Sequence, residues 1–255
     1  MDSTRIAFLA SDKPEAQEAL QGLAHRYGNL PVEAADIIAP IGGDGFMLET
    51  LKAYMGADKP IYGINRGTVG FLMNSFSIED LPRRIANAEA ARIRPLEMTA
   101  TDRDGAEQTA IAFNEISLLR ETRQTARIAI HVNGKTRMDM LICDGILLSS
   151  PIGSTAYNLS AHGPIIPIGA KLLALTPISA FRPRRWRGAL LPHDAEVSFE
   201  ILEPGLRPVS AVADNYEVRR VSKVTAVESR HHVVTMLYDN DHSLEERIVR
   251  EQFSY

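Results

Sequence analysis

The sequence predicts an α/β fold in two parts: an N-terminal doubly wound α/β domain, then a mostly β, sandwich-like domain with a helical tail. Three observations predict it. Strand-like and helix-like segments alternate through roughly the first 90 residues, and such alternation builds a parallel sheet with helices on its faces. Near residue 92 that rhythm stops, and "ARIRPLEMTATD" opens a region with almost no helical periodicity. Beyond it lie short β-rich runs separated by Pro, Gly or Asn, two of them joined by Asn133-Gly134. That dipeptide is a strong hairpin signal, because both turn residues must accept positive φ. The parts are drawn at residues 1–95, 96–240 and 241–255, the last a tail that could pack back on the first domain.

Taken in order, "RIAFLA" (5–10) is a short apolar run bounded by Ser11-Asp12 and reads as a buried strand. Ala16, Ala19, Leu20, Leu23, Ala24 and Tyr27 follow at helical spacing, with Pro14 near the start and Gly28 at the end. "ADIIAPI" (35–41) is a second strand, "FMLETLKAYMG" (46–56) a second helix and "PIYGIN" (60–65) a third strand. The glycine-rich "RGTVGFLMN" comes next, then a helix predicted through "IEDLPRRIANAEAA" (78–91).

In the second part, Ile128, Ile130 and Val132 alternate with exposed positions before Asn133-Gly134, and Met138, Met140 and Ile142 alternate after it. "PIGAKLLALT" (167–176) is predicted as a helix, and "AEVSFEIL", "VSAVAD", "YEVRRVSKVTAVES" and "HHVVTMLY" as strands of the β domain. "SLEERIVREQF" (243–253) reads as helical, with Ser243 and Glu246 as a candidate capping box.

Composition bounds the function. The 255 residues are 45 % hydrophobic and 24 % charged, ordinary for a globular protein. A net charge of −4 gives no overall basic footprint for nucleic acid or an anionic membrane. The single cysteine, Cys143, excludes an intramolecular disulfide framework and fits a reducing compartment. The N-terminal apolar run is too short for a signal sequence and no stretch approaches a membrane span, so a cytoplasmic protein is expected.

Three stretches carry the chemistry. In "IIAPIGGDGFMLETL" (37–51), Gly42, Gly43 and Gly45 surround Asp44 where a strand gives way to a helix. Open α/β sheets bind ligands there, and glycines let the backbone approach a phosphate. An aspartate repels phosphate, so Asp44 needs a role that offsets the repulsion, either holding Mg²⁺ or accepting the proton of an attacking hydroxyl. Asp44 as a plain cap of helix 46–56 is an equally weighted reading of the spacing. The second stretch, "CDGILLSSPIGSTAYNLSAHGPII" (143–166), supplies hydroxyl and amide groups suited to sugar and base edges. The third is "FNEIS" (113–117), where Asn114 and Glu115 adjoin in an apolar strand. Neighbouring strand residues face opposite ways, so one of the pair is buried and needs partners.

Together these stretches resemble the NAD kinase family. The likeness rests on Gly-Gly-Asp-Gly at 42–45, Gly67-Thr68-Val69-Gly70-Phe71-Leu72, Asn114-Glu115, Asp144-Gly145 and Gly153-Ser154-Thr155-Ala156-Tyr157-Asn158, over residues 36 to 216. The last block is the most specific; Gly-Gly-Asp-Gly alone is shared with lipid kinases and phosphofructokinases. The resemblance implies a Rossmann-like N-terminal domain, a C-terminal β domain, a site in the cleft between them and a homodimer or homotetramer. It also implies Mg²⁺-dependent transfer of phosphate from ATP or polyphosphate to the adenosine 2′-hydroxyl of NAD, giving NADP.

On this mapping Asp44 is the catalytic base, and Gly42, Gly43 and Gly45 clear space for donor phosphates. Phe71 and Leu72 line the pocket, Asn114 and Glu115 bind adenine and ribose groups, and Asp144 contacts NAD. Thr155 and Ala156 meet the adenine, Tyr157 packs on the ligand and Ser160 adds a polar contact. No protein metal ligand is assigned; Mg²⁺ comes with the donor phosphates. The chain departs from the family at Phe46, where Thr is usual, at His162, where Gly is common, and at Asn215, where Asp-Gly is frequent. A non-catalytic dinucleotide sensor and a lipid or sugar kinase are the rival functions.

Other features have plainer readings. "FRPRRWRG" (181–188) sets four arginines around Trp186 and is expected to be a solvated loop or subunit contact. His231, His232 and His242 are expected to be structural or exposed rather than metal ligands, and Cys143 a small buried hydrophobe. Met47, Met55, Met73, Met138 and Met140 are expected to fill the core.

Overall fold

A computed structural model describes residues 4–67 and 70–239. The chain separates into two compact units: residues 94–231 form one, and the described residues on either side form the other.

The first unit has a parallel sheet in the order Ile6–Ala10, Ile37–Gly42, Ile64–Asn65, Asn74–Ser75. Its first helix, Pro14–Tyr27, has proline in its opening turn and buries Ala16, Ala19 and Leu23. It stops because Gly28 takes φ 75, a conformation costly to any residue with a Cβ. Those alanines and Leu23 pack with Ile6, Phe8, Ile37, Ala39, Ile41, Tyr62, Ile64, Leu81 and Ile85 in one core.

The segment 60–65 is only partly a strand. Ile64–Asn65 pairs in the sheet, while Ile61 forms isolated bridges to Ile38 on one side and Met236 on the other. The helix predicted over 78–91 is shorter, at Leu81–Asn87. Glu89–Ile93 is instead a strand, antiparallel to Val234–Tyr238. Alanine-rich sequence favours helix locally, but ladder bonds to a strand distant in sequence override that preference. That pairing also places "HHVVTMLY", expected with the β domain, beside strands of the first unit. The buried Asn74 side chain reinforces it, donating to the Leu237 carbonyl and accepting the Asp239 N–H.

The second unit holds two six-stranded sheets. One runs Lys135–Cys143, Ala126–Val132, Val197–Ile201, Val221–Glu228, Leu96–Asp102, Glu107–Ala112. The other runs Ala189–Pro192, Leu172–Ile178, Gly145–Ser149, Glu115–Arg120, Val209–Ala213, Tyr216–Val218. Inward side chains of both, among them Ile128, Ile130, Phe199, Val224, Ile116, Leu118 and Leu148, form one core. This is the predicted sandwich. The hairpin turn is where expected, with Asn133 at φ 52 and Gly134 at φ 72.

Two expectations fail in this unit. The helix expected over 167–176 is a strand, Leu172–Ile178, paired with Gly145–Ser149 and Ala189–Pro192. "LLALT" is apolar without a break, which suits a buried central strand as well as a helix, and the sheet decides. In the hairpin's second strand, the buried residues are Leu141 and Cys143, and Met140 is 45 % exposed. Register shifts at Thr136/Met138 and Met138/Leu141 bring the other face inward, since a one-residue slip reverses every side chain. Met47 and Met73 do fill the core of the first unit. Trp186 is partly buried against the β core while the four neighbouring arginines are exposed. The tail expected over 243–253, with His242, lies outside the described residues.

Candidate functional site

The glycine loop sits where the sequence puts it, at the carboxyl end of a buried parallel strand, Ile37–Gly42. The helix that follows begins earlier than expected, running Asp44–Tyr54 with Gly43 at the cap position and no side-chain cap bond. Asp44 therefore stands in the first helical turn and does not cap. Its carboxylate instead accepts two backbone N–H groups, from Phe71 at 3.1 Å and Leu72 at 3.0 Å. Both oxygens act as acceptors, as an ionised carboxylate does.

Two glycine-bearing loops meet here. A Cβ on Gly67 would stand 3.1 Å from the Gly43 Cα, and one on Gly70 would stand 2.5 Å from the Asn65 amide. Asn65 also accepts the Gly67 N–H at 2.8 Å. Of the residues predicted in this part, the structure brings Asp44, Phe71 and Leu72 together, with Leu72 buried and Phe71 half-buried. Phe46 packs on the loop itself, its side chain 3.1 Å from where a Gly42 Cβ would be. Gly42 is thus buried beneath an aromatic ring, whereas Gly45 is exposed.

The β unit carries the second group. Asn114 and Glu115 lie at the entry to a central strand, Glu115–Arg120, with Glu115 9 % exposed and Asn114 half-buried. One of the pair is buried, as the alternation requires. The polar loop folds over them. The Asn114 carbonyl accepts the Ser150 N–H at 2.9 Å, and Ser150 Oγ donates to the Phe113 carbonyl at 2.6 Å. Gly153 lies so close that a Cβ there would come within 2.1 Å of the Asn114 carbonyl oxygen.

After a turn of 3₁₀ helix at Ile152–Thr155 comes the short helix Tyr157–Ser160. Thr155, Ala156 and Tyr157 are half-buried and Ser160 is exposed. Asn158 anchors the loop from inside: its amide donates to the Ser154 and Pro164 carbonyls and its Oδ1 accepts the Thr176 hydroxyl. His162 takes φ 62, a left-handed conformation that His adopts more readily than most residues other than glycine.

Charge is distributed unevenly around Asn114. Glu115 is pushed up to about 7, chiefly by burial and then by the Asp214 carboxylate, against a stabilising N–H from Tyr157. Its Oε2 is buried without a hydrogen-bond partner. The Tyr157 hydroxyl is raised by burial and by Glu115 and Asp144. Asp144 is half-buried and pairs with Arg120 at 2.6 Å. Cys143 next to it is buried, its thiol pushed up to about 12 by burial, and so stays an inert thiol.

Sequence reasoning missed Asp214, Arg120 and Asn65. Asp214 takes φ 53 in the turn after Val209–Ala213, and its carboxylate accepts the Phe113 and Asn114 N–H groups at 2.8 and 2.9 Å. The left-handed position in "VADN" is thus held by Asp214. Arg120 lies 24 residues from its partner Asp144, so no local signal reveals it. Among the described residues, no group of three or more His, Cys, Asp or Glu could hold a metal ion.

A glycine loop leaving a parallel strand for a helix, with a buried carboxylate under a hydroxyl-rich loop in a β unit, defines a nucleotide-handling protein. The chain belongs to the ATP-NAD kinase family. The profile of the ATP-NAD kinase N-terminal domain matches residues 7–92, and that of the C-terminal domain matches residues 113–234. NAD kinase of Caulobacter vibrioides is 60 % identical over 98 % of this chain and 96 % of its own. That of Hyphomonas neptunium is 56 % identical over the whole of both chains. Two crystal structures share the fold. Yeast NADH kinase complexed with NADH gives a TM-score of 0.82 at 18 % identity, over 98 % of this chain and 88 % of that one. An NAD kinase from Archaeoglobus fulgidus in complex with ATP gives 0.77 at 24 % identity, over 97 % and 99 %.

Proposed function

We propose that the chain transfers the terminal phosphate of ATP, or of polyphosphate, to the 2′-hydroxyl of the adenosine ribose of NAD, giving NADP. The observation that carries this reading is the likeness along the whole chain to proteins named for that activity. It is supported by the glycine loop, which sets an oriented carboxylate next to the open position at Gly45.

Phosphoryl transfer passes through a loose transition state, so positioning matters more than covalent chemistry. Asp44, itself fixed by the Phe71 and Leu72 amides, orients the 2′-hydroxyl and takes its proton as the bond to phosphorus forms. Phe71 and Leu72 line the pocket beside it. Asn114 and Glu115 bind adenine and ribose groups, Thr155 and Ala156 meet the adenine, and Tyr157 and Ser160 complete the contact. Asp144 takes part in NAD binding with its charge tempered by Arg120.

Mg²⁺ usually keeps several waters and binds substrate phosphates, so the cation would arrive with the donor, and no side chain of this chain is assigned to hold it. There it would supply neutralisation of charge on the donor phosphates. The family resemblance further supports a cytoplasmic homodimer or homotetramer. Among the described residues, no helix is long and apolar enough to cross a membrane.

Incubating the purified chain with NAD, Mg²⁺ and ATP or polyphosphate, and assaying NADP, tests the proposal. NADP formation with either donor is the expected result. Measurable NAD binding with no NADP from any donor would replace the kinase with a dinucleotide sensor.

A further inference from the structure

Asp214, a carboxylate with no local sequence signal, is tied to the dinucleotide residues at three points. Its two oxygens accept the successive N–H groups of Phe113 and Asn114 at 2.8 and 2.9 Å. Its own N–H donates to the Glu115 carbonyl at 3.2 Å. The turn that presents it is left-handed at Asp214, φ 53, a conformation Asp tolerates better than most residues. From the opposite side, Gly153 and Ser150 press on the same Asn114 backbone. Phe113–Glu115 is therefore held on both sides by hydrogen bonds and close packing.

What this clamp presents is a buried Glu115 carboxyl whose Oε2 lacks a hydrogen-bond partner. An unpaired buried oxygen is costly, and a ligand hydroxyl would satisfy it. We propose that Asp214 is a positioning residue that fixes Asn114 and Glu115 for the dinucleotide and makes its capture depend on the ionisation of Glu115. The proposal rests on the assignment of Asn114 and Glu115 as NAD ligands under the proposed function.

The groups facing Glu115 set the direction. The Asp214 carboxylate is close enough to disfavour the Glu115 anion, and burial acts the same way; the Tyr157 N–H opposes both. Tyr157 offers a hydroxyl that is itself raised, and Asp144 acts on that hydroxyl. With its carboxyl titrating near 7, Glu115 is part protonated at neutral pH. A ribose hydroxyl donates to the ionised form, whose Oε2 is free to accept, so binding draws Glu115 to the anion and releases a proton. Binding weakens as pH falls through the titration.

The test uses the full chain. NAD binding at pH 7, measured calorimetrically in buffers of different ionisation heat, should release about half a proton. The KM for NAD at saturating ATP should be about tenfold higher at pH 6 than at pH 8, with kcat nearly level. In Asp214→Asn, which keeps the shape and loses the charge, that tenfold ratio should shrink to within about threefold as the break moves to lower pH. The Glu115 carboxyl midpoint, followed by carbon NMR, should move the same way.

A clamp of purely structural value would raise KM by the same factor at every pH and leave the midpoint in place, which overturns the proposal. If Asp214→Asn does not fold, the wild-type calorimetry decides: no proton released on NAD binding overturns the proposal. The function can fail separately. A midpoint that moves in a chain making no NADP supports the clamp and defeats the kinase; NADP made with an unmoved midpoint does the reverse.

Discussion

Two aspartates, one in each unit, do the same thing with different surroundings. Asp44 accepts the amides of Phe71 and Leu72, and Asp214 accepts those of Phe113 and Asn114. Each uses both carboxylate oxygens to pin two successive backbone N–H groups of a distant loop. Asp44 does so from the first turn of a helix, between a half-buried Gly43 and an exposed Gly45. Asp214 does so from a tight left-handed turn against a carboxyl that is already buried. The contrast separates two settings of one motif: a half-buried carboxylate beside a glycine loop, and a carboxylate in a turn that holds the backbone next to a buried glutamate.

The largest effect should come from breaking the first member of the pair. Asp44→Asn keeps one amide acceptor, but its NH₂ then faces the other N–H. A positioned base is typically worth ~10²–10⁴ in rate, so kcat should fall by that range. Steady-state kinetics separate the two roles of Asp44. A fall confined to kcat is the signature of the base, and a parallel rise in the KM for NAD is the signature of the clamp on Phe71 and Leu72.

Next comes Gly153, which presses on the loop that Asp214 holds. A Cβ there would meet three Asn114 backbone atoms, the oxygen, carbon and Cα, at 2.1, 2.4 and 2.5 Å. Backbone cannot step aside as a flexible side chain does. Gly153→Ala should therefore destabilise by at least the ~1–3 kcal/mol usual for overpacking, seen as a lower midpoint in urea unfolding. Gly45→Ala, with open space around its Cβ, should leave that midpoint nearly unchanged, which confines the effect to the clamped loop.

Much of this was legible beforehand. Alternation of apolar runs marked the parallel sheet, Asn133-Gly134 marked a hairpin, and the strand-to-helix passage at Gly42–Gly45 lies where the sequence puts it. What was not legible follows from long-range pairing. "LLALT" and "EAARI" read as helix because local preference has no knowledge of the strands at 145–149, 189–192 and 234–238 that pair with them. Asp214 and Asn114 are 100 residues apart, and nothing in "VADN" tells which amides its carboxylate will find.

Glu115 sharpens the comparison at a smaller scale, because it is the group that Asp214 strains and Asp44 has no counterpart for. Its carboxyl titrates near 7 in the folded chain against 4.5 for an ordinary Glu. A raised carboxyl means that the native state binds more protons than the unfolded state between those values. Stability from this group is fully present below about 4.5, is lost as pH rises toward 7, and then levels off. The loss is on the order of 3 kcal/mol. Glu115→Gln should flatten that decline and raise the melting temperature at pH 8 while weakening NAD binding. A melting temperature that falls equally in both proteins between pH 5 and pH 8 would assign the decline to other groups.

The smallest effect tests the register shift that turned the hairpin's expected face outward. Met138, Met140 and Ile142 were expected inside; Met138 does pack on the core, but beyond it the bulged strand buries Leu141 and Cys143 and leaves Met140 45 % exposed. Met140→Ser should then change unfolding free energy by no more than ~0.5 kcal/mol, the range for exposed positions. Leu141→Ala, one residue on, should cost ~2–5 kcal/mol as a core truncation. The two are neighbours in one strand and present opposite faces, so urea titration of the pair reads the register. Equal losses, or a larger loss at Met140, would mean that the strand is paired without its bulges and that the alternation read from the sequence holds.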